Sequence, residues 1–243
     1  VNFTLVVPYY RQPAMLARQI QEWEQYPEGV RVVIVDDASP EPAEPVIREH
    51  ATPGLLSRLA LYRIGVDVPW NRGEARNLGA LVAVSEWILH VDIDHVLPVE
   101  SARSLLSLDA DPAKWYRFRR FRVGKADDTR NKDALPRDVE FGEVKPHGDS
   151  YLVTKSLYWQ AGGYNLAFSG CLGGGSPFLQ ELAKEGPVEV LPIPLHVHTR
   201  TSVPDSSDWS LSRDTREYAR RKAAMKGNYR GTEIVRSPWT RIL

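Results

Sequence analysis

Trp87-Ile88-Leu89-His90-Val91-Asp92-Ile93-Asp94-His95-Val96-Leu97-Pro98 climbs through an apolar run and then breaks into two carboxylates one residue apart. A short apolar run bounded by polar turn residues reads as a buried strand. In a strand, residues i and i+2 share a face, so Asp92 and Asp94 point the same way if the strand persists that far. Two carboxylates on one face repel unless a cation stands between them. Oxygen ligands select a hard ion such as Mg2+ or Mn2+, and such ions also hold phosphates. The plainer alternative is a polar loop after a core strand, with Asp94 in a turn.

The sequence upstream weighs on that choice. Phe3-Thr4-Leu5-Val6-Val7 reads as a strand, stopped by Pro8 and followed by Tyr9-Tyr10. From Ala14 to Tyr26, Met15, Leu16, Ile20 and Trp23 fall near helical spacing. Val30 to Val35 is a second strand that runs straight into Asp36-Asp37. A helix over Pro42 to His50, a strand over Arg58 to Ile64 and a helix over Glu74 to Val84 follow. This alternation predicts a parallel, doubly wound α/β sheet. Ligands of such sheets bind beyond the carboxyl ends of the strands, which here carry Pro8 to Tyr10, Asp36-Asp37 and Asp92 to Asp94. Gly73 allows a tight turn before the third helix. Arg76 is expected in that helix's first turn, where a cation opposes the dipole, so a job such as pairing with a phosphate is expected of it.

The totals set the frame. A chain of 243 residues makes one large domain or two small ones. Its formal net charge is zero, which excludes a global pull toward nucleic acid or an anionic membrane. A single cysteine, Cys171, excludes an internal disulfide framework and fits a reducing compartment. No apolar run approaches the roughly 18 residues of a membrane span. The expectation is a soluble, cytoplasmic protein.

Downstream, Ser101 to Leu108 reads as a helix. Lys114 to Val123 then alternates aromatic and basic residues, broken once at Arg119-Arg120. A strand with one basic face fits this pattern. Its Arg117, Arg119, Arg120 and Arg122 either lie solvated or wall an acceptor site for an anionic polymer or DNA. Asp127 to Asp138 is charged without period and reads as a loop, a possible lid. Tyr151 to Lys155 leads into a helix over Ser156 to Ala161. Val188 to Pro192 is a last strand, followed by His196, His198 and Arg200. A helix over Arg213 to Met225 carries Arg220-Arg221-Lys222, and Trp209 and Trp239 are expected to pack this tail.

Four blocks carry a resemblance. Val6-Val7-Pro8-Tyr9-Tyr10, Val33-Ile34-Val35-Asp36-Asp37-Ala38-Ser39, Asn71-Arg72-Gly73-Glu74-Ala75-Arg76-Asn77-Leu78-Gly79 and Val91-Asp92-Ile93-Asp94 resemble, in order and spacing, family 2-type nucleotide-sugar glycosyltransferases of the GT-A fold. The resemblance is close over residues 3 to 100 and looser to about residue 200. It implies a nucleotide-diphosphate sugar under the sheet edge, with Pro8, Tyr10, Asp36 and Asp37 at the base, and Asn71 and Arg76 near base and diphosphate. Asp92 falls near ribose and metal, and Asp94 as direct ligand of Mn2+ or Mg2+. It also implies His198 as a further metal ligand.

One departure stands out. Relatives often read Gly-Gly-Glu-Asp or Gly-Gly-Glu-Asn before a helix, whereas this chain has Gly173-Gly174-Gly175-Ser176, so the usual acid falls on Gly175 or Ser176. That acid would be the general base toward the acceptor. Asp149 is the substitute the sequence offers, with a simple turn-forming role as its alternative. The expected organisation is one GT-A domain with a donor half (1–98), an acceptor half (99–200) and a C-terminal helical extension (201–243). The expected activity is transfer of a sugar to a hydroxyl acceptor, either a glycan or a hydroxylated base in DNA. A catalytically silent nucleotide-sugar-binding module is the alternative, and a nucleotidyltransferase ranks lower because Pro8 to Arg11 holds no glycine.

Overall fold

The computed structural model describes residues 1–123, 140–146, 148–171, 175–198 and 215–243. Its centre is β1 (Phe3–Tyr9), buried along almost its whole length. It pairs in parallel with β2 (Val30–Asp36) on one side and β4 (Trp87–His90) on the other. β3 (Leu59–Ile64) continues the parallel order beyond β2. A strand covered on both faces reads as a near-continuous apolar run, which is why β1, β2 and β4 are so plain in the sequence.

Leu5, Val7 and Tyr9 face one core with α1 (Pro13–Trp23) and α2 (Ala43–His50). Val6 faces a second core with α4 (Arg72–Val82), α6 (Lys155–Gln160) and α7 (Gly175–Glu185). Helix α4 lies very close to the sheet: a Cβ at Gly79 would come within 2.2 Å of Val6 Cγ1. Only glycine permits that approach. The short α3 (Pro53–Leu56) precedes β3, and α5 (Val99–Leu106) follows the two-residue β5 (His95–Val96).

Beyond β4 the sheet turns mixed. Among the described residues ten strands form one sheet, in the order β10-β3-β2-β1-β4-β8-β6-β9-β5, with β7 on β6. Here β6 is Trp115–Val123, β7 Glu140–Val144, β8 Tyr151–Thr154, β9 Val188–His198 and β10 Trp239–Arg241. The parallel order therefore holds for β3-β2-β1-β4 and gives way to antiparallel pairs at β8. The break in the aromatic–basic alternation is real: the register of β6 against β9 shifts between Phe118 and Arg119.

The C-terminal extension is more than helical. After α8 (Thr215–Ala224) the chain returns across the molecule, and β10 adds an antiparallel edge to β3. Trp239 meets Tyr62 edge-on there, at 5.7 Å between ring centroids. Residues 124–139, which include the expected loop Asp127 to Asp138, lie outside the described residues. So do Gly173, Gly174, Arg200, Trp209 and Arg213.

Candidate active site

The order β3-β2-β1-β4 places a topological switch between β1 and β4, where ligands of open α/β sheets bind. Two carboxylate pairs reach it. The first follows β2. Asp36 accepts the Ser39 backbone N–H at 2.7 Å and that of Ala43, the first residue of α2, at 2.9 Å. Arg63 Nη1 donates to it at 2.7 Å. Its oxygens thus serve the loop and the helix N-terminus, a position that favours an anion. Asp37 differs. It is buried, and its Oδ1 has no hydrogen-bond partner among the described residues. Burial pushes its carboxyl well above the usual range, while a hydrogen bond from Asn71 opposes the rise. Pro8 and Tyr10 stand beside this corner half-exposed, and the Tyr10 hydroxyl donates to Asp67. Arg11, Ala38 and Trp70 hold φ of 48°, 52° and 52°, so the loops after β1, after β2 and before α4 all carry a sparsely populated backbone conformation.

The second pair follows β4, which ends at His90. Asp92 and Asp94 therefore lie in a turn, not on a strand face. They converge all the same: one ligand atom from each of Asp92, Asp94 and His95 lies within 4.8 Å of the others. Two carboxylate oxygens and an imidazole nitrogen suit Mn2+ or Mg2+ in chemistry and spacing, the nitrogen favouring Mn2+. His198, expected as a ligand, is outside this group. Its backbone N–H donates to the Asp94 carbonyl at 2.9 Å, and its buried Nε2 has no partner among the described residues. Burial first, then Arg18 and His196, depress its pKa to about 4, so the ring is neutral at pH 7, as a ligand must be.

Between the pairs lies Arg76. Helix α4 begins at Arg72, which makes Arg76 its fifth residue, past the first turn where it was expected. It is fully buried. Its Nη2 meets Asp92 Oδ1 at 2.6 Å and the Asp149 carbonyl at 3.0 Å, and Nη1 lies 3.6 Å from Asp149 Oδ1. Burial works against its charge, but Tyr164, Asp92 and Asp149 outweigh that and raise its pKa well above the ordinary arginine value. Its partners are carboxylates rather than an exposed phosphate position.

Asp149 is pinned from several sides. Arg72 Nη2 reaches its Oδ2 at 2.9 Å and the Tyr164 hydroxyl its Oδ1 at 3.3 Å. The departure at position 175 has a spatial counterpart here. A Cβ on Gly175 would stand 2.3 Å from Asp149 Oδ1, so the Asp149 carboxylate occupies the room a side chain at 175 would need. A cleft lined by Trp70, Arg72, Tyr164, Phe168, Cys171 and Gly175 opens beside it.

The basic strand is engaged internally. Arg117 lies 4.8 Å over the Trp115 ring, Arg119 makes a bidentate pair with Glu143 at 2.9 and 2.8 Å, and Arg120 Nε donates to the Lys145 carbonyl at 2.8 Å. Arg122 is exposed. Three residues of the site were not foreseen. His95 adjoins Asp94 in the opening stretch but alternates away from it on a strand. Arg72 is the solvent-side partner of Asp149. Glu74 accepts from Asn71 and from the backbone N–H groups of Arg236 and Ser237. It ties the returning C-terminal segment to the α4 N-terminus.

Comparison with known proteins follows this geometry. The model of the family described as Glycosyl transferase family 2 matches residues 4–170. A mannosyltransferase from Pyrobaculum calidifontis, in complex with GDP-Man and Mn2+, superimposes with a TM-score of 0.61 at 16% identity, over 98% of this chain and 66% of that one. Residues 1–349 of S. aureus TarS superimpose with a TM-score of 0.59 at 14% identity, over 92% of this chain and 72% of that one. The same fragment in complex with UDP gives 0.58 at 15%, over 81% and 60%. This chain thus spans just under two thirds of that mannosyltransferase. No curated protein matches it by sequence.

Proposed function

Since this chain belongs to glycosyl transferase family 2, we propose that it transfers a sugar from a nucleoside-diphosphate donor to a hydroxyl acceptor, with a divalent cation bound at Asp92, Asp94 and His95. The observation that carries the reading is this convergence of three ligand groups at the switch point, beside a fully buried arginine that holds one of them. Mannosyl transfer from GDP-Man with Mn2+, and UDP binding, are precedents among proteins of this fold.

Each residue has a place in the reading. Asp37, with a buried oxygen lacking a partner, accepts an N–H from the nucleobase, and Pro8, Tyr10 and Asn71 frame it. Asp36 supports this corner from behind, because its own oxygens are engaged. The cation, when bound, neutralises charge that develops on the departing diphosphate. His198 stands ready as a neutral fourth ligand behind Asp94. Arg76 fixes Asp92 and Asp149 relative to each other across the site.

Asp149 is the general base. It takes the proton of the acceptor hydroxyl as that oxygen bonds to the anomeric carbon and the carbon–diphosphate bond breaks. Its carboxylate sits where a side chain at 175 would reach, which supports it as the replacement for the acid that relatives carry there. One observation favours the silent binding module instead: two guanidinium groups beside Asp149 weaken it as a base. An anionic polymer or DNA as acceptor has less support, since Arg117, Arg119 and Arg120 already have partners in the chain.

The test is calorimetric titration of nucleoside diphosphates with Mn2+, followed by slow hydrolysis of the matching donor sugar and transfer to a panel of acceptors. One nucleotide should bind only with metal, and Asp94→Ala should abolish this. Asp149→Asn should keep nucleotide affinity and lower turnover by roughly 10²–10⁴-fold. Absence of any nucleotide binding would remove the transferase reading. Binding without turnover in the unaltered chain would leave the silent module.

A further inference from the structure

His95 is flanked on both ring nitrogens. Its Nδ1 lies 2.5 Å from Ser150 Oγ, and its Nε2 lies 3.2 Å from Arg120 Nη1. A guanidinium has only N–H groups to offer. The Nε2 must therefore be the acceptor, and the ring proton sits on Nδ1, donated to the serine. A neutral imidazole has a single in-plane lone pair, and Arg120 is using it.

The consequence does not depend on which nitrogen faces the carboxylates. If a cation binds through Nε2, it takes the lone pair that Arg120 holds. If it binds through Nδ1, the proton moves to Nε2, where N–H would confront N–H, and Arg120 must again withdraw. Arg120 is also anchored elsewhere: its Nε and Nη2 both donate to the Lys145 carbonyl. Asp92 and Asp94 act on it electrostatically and oppose the loss of charge that burial favours. A guanidinium held on one side by the Lys145 carbonyl and on the other by His95 thus stands at the edge of the cluster that would receive a divalent ion.

We propose that Arg120 is an internal competitor of the divalent cation, masking His95 in the metal-free protein, so that metal binding and release of Arg120 are a single event. This rests on the metal-site reading above and adds to it a residue that sets metal affinity. Removing Arg120 uncovers His95 and strengthens metal binding. Removing His95 leaves Arg120 nothing to mask.

The test is a double-mutant cycle on Mn2+ affinity, read from the electron paramagnetic resonance signal of free Mn2+, with no turnover needed. Arg120→Ala should tighten Mn2+ binding by about tenfold, the scale on which loss or gain of a supporting partner alters metal affinity. In the His95→Ala background the gain should shrink to the part that the Arg120 charge alone exerts on Asp92 and Asp94, and Arg122→Ala, which removes an exposed charge from the same strand, should leave affinity unaltered. An equal gain with and without His95 would mean that Arg120 acts only through its charge, and no gain at all would mean that it does not compete. Either result overturns the proposal. Asp94→Ala separates this from the underlying reading: if it binds Mn2+ as the unaltered chain does, the metal site itself is wrong, whatever Arg120 does.

Discussion

The two carboxylate pairs at the sheet edge have the same origin in the sequence and opposite treatment in the fold. Both stand where a buried parallel strand meets its loop. After β2, Asp36 is satisfied by two backbone N–H groups and Arg63, while Asp37 keeps a buried oxygen without a partner among the described residues and a pKa pushed well up by burial. After β4, the carboxylates are met by arginine: Asp92 by the buried Arg76, with Arg120 next to the cluster at His95. On the proposed function, the first corner accepts a neutral hydrogen-bonding partner. On the proposal made above, the second exchanges one cation for another. An identical strand-to-acid signal thus splits into recognition and charge handling, and the loop contacts decide which.

The contrast is broken most forcefully at Arg76. Arg76→Ala leaves Asp92 and Asp149 buried without their shared counter-ion, and loss of one partner from a buried pair costs about 3–5 kcal/mol. Urea unfolding should show that loss. A loss below about 1 kcal/mol would show that water or other groups already balance these carboxylates. At the first corner two substitutions should separate stability from binding. Asp36→Ala orphans two backbone donors and Arg63, and should cost about 2 kcal/mol of stability. Asp37→Asn removes a carboxyl that burial already disfavours in its charged form, so stability should hold or rise. Nucleotide affinity should nonetheless fall by about tenfold, equivalent to roughly 1.4 kcal/mol. If Asp36→Ala, measured where it is folded, weakens nucleotide binding more than Asp37→Asn does, the division of labour within that pair is wrong.

Residues that belong to one strand and its own loop were legible before the structure. Asp36, Asp37, Asp92 and Asp94 announce themselves because apolar periodicity stops at them. The block around Asn71 and Arg76 was legible through the resemblance and the tight turn at Gly73, whereas the need for glycine at 79, where α4 packs on β1, came only with the structure. What could not be read were contacts between distant elements. Glu74 meets the backbone of Arg236 and Ser237 more than 160 positions away, and nothing near Glu74 marks it. The antiparallel return of β10 onto β3 was missed for the same reason, since a three-residue strand carries no period. His95 was hidden by a correct rule carried past the end of the strand. Had β4 persisted, His95 would face away from Asp94, but β4 ends at His90 and the turn brings them together. The loss of an acid at Gly175 was visible, and only the packing shows Asp149 filling that space.

The smallest expected effect concerns what lies behind the second corner. His90 is fully buried on β4, with Tyr151 at 5.1 Å and Tyr158 stacked at 5.2 Å between ring centroids. Neither of its ring nitrogens has a partner among the described residues, and burial, aided by the nearby Arg76 charge, holds its pKa well below the usual value. It behaves as an aromatic spacer that carries two unsatisfied polar atoms. His90→Phe keeps the ring and removes both, so it should stabilise the fold by about 1 kcal/mol in urea unfolding, part of the 1–3 kcal/mol cost of an unmet buried group. A wall that is apolar in effect would also explain why the Arg76–Asp92 pair is strong enough to organise the site, because attraction between charges rises as the local dielectric falls. A loss of stability in His90→Phe would say the reverse: the nitrogens hold a buried water, and the field behind Arg76 is softer than the packing suggests. In that case the large effect expected of Arg76→Ala should shrink with it, because the same water would also solvate the carboxylates that Arg76 leaves behind.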